Sequence, residues 1–336
     1  MNQIKTLTNI SLSVLDLSAV TEGSTVRNAF QNSMELAQHA EKLGYKRHWV
    51  AEHHNMEGVA SSATSVLIGY LASGTSTLRI GAGGIMLPNH SPLVIAEQFG
   101  TLESIYPGRI DLGLGRAPGT DMLTARALRR DFSGADNFPE LVNELQSYFE
   151  PIQAESTRAV MAVPGQGLEV PIWLLGSSTY SAKLAGIMGL PYSFASHFSP
   201  DYLEQAIQMY RTYFQPSKYL EEPYVMAGLN VIAAETDEHA EYLSSSLLQQ
   251  FLGMVRGKRG KMQPPRNIEE LWTEQEKIGV NQSLRARVVG SPETVKAKLE
   301  EFVSTNQVNE LMINSPIFDH QERLKSYEIV ANISKK

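Results

Sequence analysis

The residues best equipped for chemistry in this 336-residue chain begin with the run Glu52-His53-His54. Imidazole titrates near neutral pH, so His53 and His54 are candidate catalytic residues: a general acid/base histidine is expected here, while at least one of the pair packs under the rim and hydrogen-bonds to backbone. The run is a poor metal site. Successive residues leaving a strand point to opposite faces, and no HxH or HExxH spacing supplies the missing ligands. The chain also has no cysteine, which removes thiolate nucleophiles, disulfides, iron–sulfur clusters and Cys-containing zinc sites. Any redox work must therefore reside in a bound cofactor.

A second constellation is Gly176-Ser177-Ser178-Thr179-Tyr180-Ser181, between an apolar run and a helical pattern. Backbone N–H groups at a helix start, with several hydroxyls beside them, form a phosphate cradle; plain N-capping needs only one hydroxyl. Arg116 supplies a matching cation. Gly83-Gly84 interrupts an apolar strand pattern, which predicts a bulge or a flat ligand pressed on backbone. The segment 112–119 (LGLGRAPG) holds a G-x-G but has Pro118 at the third glycine position and no helix pattern directly after it, so it is not a dinucleotide fingerprint.

The elements that must position these groups alternate. Strand patterns lie at 10–15, 48–51, 78–86, 109–114, 171–175, 192–195, 224–234 and 310–313. Helical periodicity follows most of them, including the Phe30, Met34, Ala37, Leu43 pattern stopped by Gly44 and a helix opened by Pro92. Eight strands, mostly each with its helix, predict an α/β fold, a closed (β/α)8 TIM barrel spanning residues 1–336 as a single domain. The polar stretch 253–280 breaks the rhythm and reads as either a solvated insertion or a mobile lid. In such a barrel, Asp16, Glu52-His53-His54, Gly83-Gly84, Gly115-Arg116, Gly176-Ser177-Ser178, Ser196-His197 and Asn314 all fall at strand C-termini, the rim where barrel active sites form.

Composition narrows the partners. With 29 basic and 36 acidic residues the formal net charge is −7, which argues against a nucleic-acid surface. No run of about 18 apolar residues predicts a membrane span, and the first 15 residues make a poor signal peptide. A cytoplasmic address fits these features.

Taken in order, LSVLDLS near the start, WVAEHHN at 49–55, LRIGAGGIMLPNHSPLVIAEQF at 78–99, GRIDLGLGRAPGTD at 108–121, LLGSSTYSAKLAGIMGLPYSFASHF at 174–198 and VVGSPETVKAKL at 288–299 resemble the bacterial luciferase-like monooxygenase family. The resemblance implies a (β/α)8 barrel that binds reduced FMN, activates dioxygen through a flavin C4a-hydroperoxide and oxygenates a small organic substrate. It places His53 beside the flavin ring as a catalytic acid/base histidine, with His54 or Glu52 orienting it. It puts a non-prolyl cis peptide at Gly83–Gly84 against the isoalloxazine. Arg116, Ser178 and Ser181 match the phosphate site, where Ser177 replaces an acidic residue. His197 stands near a tryptophan that luciferase holds by the flavin, and 253–280 does not follow the luciferase mobile loop. These departures bear on light emission and aldehyde specificity more than on flavin binding. The resemblance also implies a separate NAD(P)H:flavin reductase and a homodimer. Two other functions share these features: a deazaflavin-dependent dehydrogenase of the same fold, and a non-catalytic flavin-binding protein.

Overall fold

A computed structural model describes residues 4–129, 137–151 and 160–335. The strands are β1 (Ser11–Asp16), β2 (Arg47–Val50), β3 (Arg79–Met86), β4 (Ile110–Gly115), β5 (Ile172–Gly176), β6 (Tyr192–Phe194), β7 (Val225–Ala233), β8 (Val288–Gly290) and β9 (Glu310–Asn314). The helices are α1 (Val26–Leu43), α2 (Thr64–Ser73), α3 (Pro92–Ile105), α4 (Met122–Ala127), α5 (Phe138–Phe149), α6 (Thr179–Ile187), α7 (Leu203–Tyr213), α8 (Asp237–Val255), α9 (Glu274–Ser283), α10 (Pro292–Asn306) and α11 (His320–Ser334).

β1 to β7 pair in sequence order, β7 pairs with β9, and β9 returns to β1, all in parallel. The chain is therefore a closed (β/α)8 TIM barrel. Its strands are covered on both faces, so they read as near-continuous apolar runs; every residue of β7 is buried. β8 stands outside the eight, extending β7 through Val231↔Val288 to Ala233↔Gly290.

The helices are positioned by ordinary local signals. α1 starts where the Thr25 side chain accepts from the Asn28 N–H, and buries Ala29, Ser33, Leu36, Ala37 and Ala40 at helical spacing. It ends at Gly44, whose φ of 85° is left-handed and whose N–H reaches the Ala40 and Glu41 carbonyls. Among the described residues no helix is long and apolar enough to cross a membrane.

The N-terminal half of the barrel is plugged by charge. Buried Arg47 donates to Glu310 Oε1 (2.7 Å) and Asp111 Oδ2 (2.7 Å), Arg79 Nη2 reaches Asp111 Oδ1 (2.6 Å), Trp49 Nε1 donates to Asp111, and the Tyr224 and Ser13 hydroxyls donate to Glu310. Removing one member would leave a buried charge uncompensated, a loss of about 3–5 kcal/mol. An apolar layer of Leu15, Trp49, Trp173, Met226 and Met312 lies against this network, with Trp49 and Trp173 edge to face at 5.2 Å. Among the described residues the interior is therefore closed below, and its open space lies towards the strand C-termini.

The stretch 253–280 is less solvated than its composition suggests. Ile268, Leu271, Trp272 and Val280 join Leu243, Leu247, Leu248 and Leu252 of α8, Ile232 of β7, Val289 and Ile317 in a second apolar cluster. Too few apolar residues, spaced among too many charges, hid this packing from periodicity. The same dilution hid α9, while β8 is too short to stand out.

Candidate active site

The strand C-termini open into a cavity of about 1050 Å³. That is at or above the usual upper size for one small ligand, so a cofactor and a substrate fit together. Leu15, Trp49 and Met312 reach it from the apolar layer. One wall is the Gly83–Gly84 pair, joined by a cis peptide bond, where the β3–β4 register shifts. Both the expected bulge and the cis peptide implied by family resemblance are present. A Cβ on Gly84 would lie 2.6 Å from the Gly113 carbonyl oxygen, and one on Gly83 would lie 3.1 Å from two Trp49 carbons. Close backbone approach thus requires glycine at this wall.

Arg116, Ser177, Ser178 and Ser181 line the cavity together at the start of α6. Ser178 occupies the N-cap position, yet its side chain makes no cap hydrogen bond. The capping explanation for this serine therefore fails, and its hydroxyl and the first N–H groups of α6 are left for a ligand. The Arg116 guanidinium stacks over the Tyr180 ring at 4.2 Å, which fixes the cation beside the hydroxyls. Gly176 keeps the turn tight: a Cβ there would lie 2.7 Å from Ser181 Cβ.

The two adjacent histidines part company. His53 lines the cavity, and the Ser62 hydroxyl anchors its carbonyl at 2.7 Å. His54 does not line it; its Nε2 donates to Glu52 Oε1 at 2.8 Å. His54 is thus placed as a partner of Glu52 rather than as a group facing the cavity, because alternate residues leave a strand on opposite sides. Glu52 is also not the partner of His53. Its buried carboxylate accepts from His54, His90 Nε2 (2.9 Å), Asn89 Nδ2 (3.2 Å) and the Met86 N–H (2.9 Å). Its own N–H donates to the Gly84 carbonyl at 3.2 Å, so one residue brackets the end of the glycine pair. Burial opposes the charge on Glu52, but hydrogen bonds from His54 and His90 outweigh it and bring the carboxyl down to about 2.

Burial lowers the titration of His53, opposed by a backbone hydrogen bond at Gly119 and by Glu52 and reinforced by His54 and Arg259. His197 is also held down, to about 4, by burial and then by the charge of nearby His53. Both imidazoles are therefore neutral proton acceptors at pH 7. His197 Nδ1 is enclosed without a hydrogen-bond partner, and Gly228 makes room for it, since a Cβ there would lie 2.5 Å away.

Asn230 Nδ2 holds the His197 carbonyl at 2.6 Å, and Asn314 Nδ2 donates to Asn230 Oδ1 at 2.9 Å. Asn230 and His90 escaped sequence reasoning, although Asn230 is a lone amide inside the apolar run of β7. Asp16 is buried, accepts from the Ser18 N–H and from Arg323 Nη2 (both 2.9 Å), and so serves as an anchor for α11. Ser196 donates its hydroxyl to the Gly228 carbonyl (2.6 Å) and shapes the turn carrying His197.

A parallel eight-stranded barrel with polar groups gathered at one rim defines a TIM-barrel enzyme. The luciferase-like monooxygenase profile matches residues 10–306. YvbT of Bacillus subtilis (strain 168) is 56% identical over 325 residues, covering 96% of each chain. A luciferase-like monooxygenase of Escherichia coli (strain K12) is 52% identical over 329 residues, 97% of this chain and 98% of that one. The solved structure of apo-MsnO8 superposes with a TM-score of 0.86 at 32% identity, covering 98% of each chain. The chain belongs to the luciferase-like monooxygenase family and is a flavin-dependent monooxygenase.

Proposed function

We propose that the protein, acting as one barrel domain over residues 1–336, uses reduced FMN and dioxygen to oxygenate a small organic substrate. The observation that carries this reading is the N-terminus of α6, where Ser178 sits at the N-cap without capping and Arg116 is fixed alongside. Arg116, the α6 N–H groups, Ser177, Ser178 and Ser181 fit a phosphate. The glycine wall fits a flat ring that only backbone can approach, and His197 lines the same cavity. When bound, reduced FMN supplies the electrons that activate dioxygen, one oxygen atom passing to substrate and the other leaving as water. The chain's part is to orient both molecules, keep water out over the apolar floor, and accept or return a proton at the His53 imidazole. His54 acts only through Glu52.

Titrating the apoprotein with oxidised and with reduced FMN, followed by flavin fluorescence and absorbance, tests the cofactor; binding of neither ends the proposal. Substrate-dependent product formation with oxygen uptake distinguishes it from flavin storage, and oxygen uptake with reduced FMN distinguishes it from deazaflavin-dependent hydride transfer. His53→Ala should lower turnover by about 10²–10⁴-fold, with FMN affinity nearly unchanged; undiminished turnover removes the role. We further propose that reduced FMN comes from a separate NAD(P)H:flavin reductase. A homodimer is supported by Val66 and Tyr70 on α2 with Val94 and Ile105 on neighbouring α3, all exposed apolar groups. Sedimentation at several concentrations checks it.

A further inference from the structure

We propose that the cavity selects an anionic substrate, a small organic carboxylic acid in ionised form, whose carboxylate is held by Arg259 and Lys258 at the cavity mouth. This deepens the monooxygenase reading and rests on it for the identity of the site.

The charge of the cavity is opposite to that of the chain. Against a net −7 overall, the charged lining residues are Arg116, Lys258, Arg259, Lys261 and Arg323, with Asp16 as the sole carboxylate among the described residues. Asp16 and Arg323 neutralise each other at 2.9 Å. Arg116 belongs to the α6 end, where the phosphate fits. Lys261 Nζ is turned to the Ser24 carbonyl at 3.4 Å. Lys258 and Arg259 remain, and among the described residues neither forms an ion pair.

Their strap is held in place. The Lys258 N–H donates to the Gly253 carbonyl (2.7 Å), the Met262 N–H to Val20 (3.0 Å), and the Glu22 N–H to Met262 (2.8 Å). Gly260 backbone packs on Gly58, where a Cβ would lie 3.2 Å from its carbonyl carbon. The strap thereby crosses from α8 to the loops after β1 and β2, and the Arg259 charge acts on the His53 imidazole. Two exposed cations on the lining of the cavity that holds His53 would repel a cationic substrate and offer a neutral one only uncharged hydrogen bonds. A carboxylate gains charge-assisted hydrogen bonds and an orientation that directs the rest of the molecule into the cavity. Both side chains are exposed, so solvent and salt screen the attraction, and the preference comes from two cations acting together at the cavity mouth.

The test compares octanoate with octanamide, alike in shape and differing in charge. Each is titrated into the protein with and without FMN, using Trp49 and Trp173 fluorescence, which does not depend on turnover. Octanoate should bind about three- to ten-fold more tightly, the ratio expected from two exposed charge pairs. The Lys258→Gln/Arg259→Gln variant should bring the two within about two-fold by weakening only octanoate, and added salt should do the same to the wild type. Equal affinities, binding of neither probe, or a preference that survives the double substitution would overturn the inference. Failure of FMN to bind, with the octanoate preference intact, would instead count against the flavin assignment alone.

Discussion

Ser178→Ala separates a ligand-binding serine from a structural one. Serine at an N-cap usually stabilises its helix by about 1 kcal/mol through its hydroxyl. Ser178 holds that position in α6 without the bond, whereas Ser291, the N-cap of α10, accepts from the Thr294 N–H. Urea unfolding should therefore show a loss of about 1 kcal/mol for Ser291→Ala and less than about 0.5 kcal/mol for Ser178→Ala. FMN affinity should respond in the reverse order. A hydroxyl bonded to a charged phosphate contributes about 1.5–3 kcal/mol, so Ser178→Ala should raise the FMN dissociation constant by about 10- to 100-fold. Ser291→Ala should leave it unchanged. Both quantities come from the same two variants, by denaturant titration and by quenching of flavin fluorescence. If Ser178→Ala costs as much stability as Ser291→Ala and binds FMN normally, the serine is a cap and the phosphate assignment is wrong.

Three other outcomes follow from the same geometry. Gly84→Ala sets a methyl 2.6 Å from the Gly113 carbonyl oxygen, where only backbone could yield; it should cost at least about 2 kcal/mol and abolish FMN binding, while Gly260→Ala, with open space around it, should be neutral in unfolding assays. Glu52→Gln replaces a carboxylate that accepts from four donor groups by a group that is half donor, so thermal unfolding should show a loss of about 2–4 kcal/mol, along with weaker flavin affinity through the loosened Met86 and Gly84 backbone. The third outcome concerns pH. Because the folded His197 titrates near 4 instead of 6.5, the unfolded chain binds more protons between those values, and stability must fall as pH drops from 6.5 to 4. The full shift would correspond to about 3 kcal/mol, reduced by water at the open mouth to about 1–2 kcal/mol. Unfolding at pH 4.5 and 7 should show this difference shrinking in His197→Asn. Below about pH 4.5 the depressed Glu52 adds a further loss, complete only once pH has passed through about 2.

The barrel strands were legible because a parallel barrel buries both faces of each one. Continuous apolar runs such as 225–233 announce themselves without any knowledge of neighbours, as do helix boundaries like Gly44 and Pro92. The rim followed from that order, since strand C-termini share one end of a barrel whatever the loop sequences. Local chemistry set what each rim segment could offer: glycines for close approach, hydroxyls at a helix start, imidazoles near neutrality.

Tertiary structure decided which of these groups face the cavity. His53 and His54 are adjacent and equivalent in composition, yet only the direction each takes on leaving β2 sends one into the cavity and the other to Glu52. The partnership of Glu52 with His90 spans 38 positions and exists because the ends of β2 and β3 lie side by side. Whether Ser178 caps a helix depends on a side-chain rotamer that composition does not encode. The stretch 253–280 reads as polar because its few apolar residues find their partners on distant segments, α8, β7, β8 and Ile317, and only the fold brings Lys258 and Arg259 onto the cavity lining. Periodicity records burial along one element; which side chains meet across elements depends on the closure of the whole barrel.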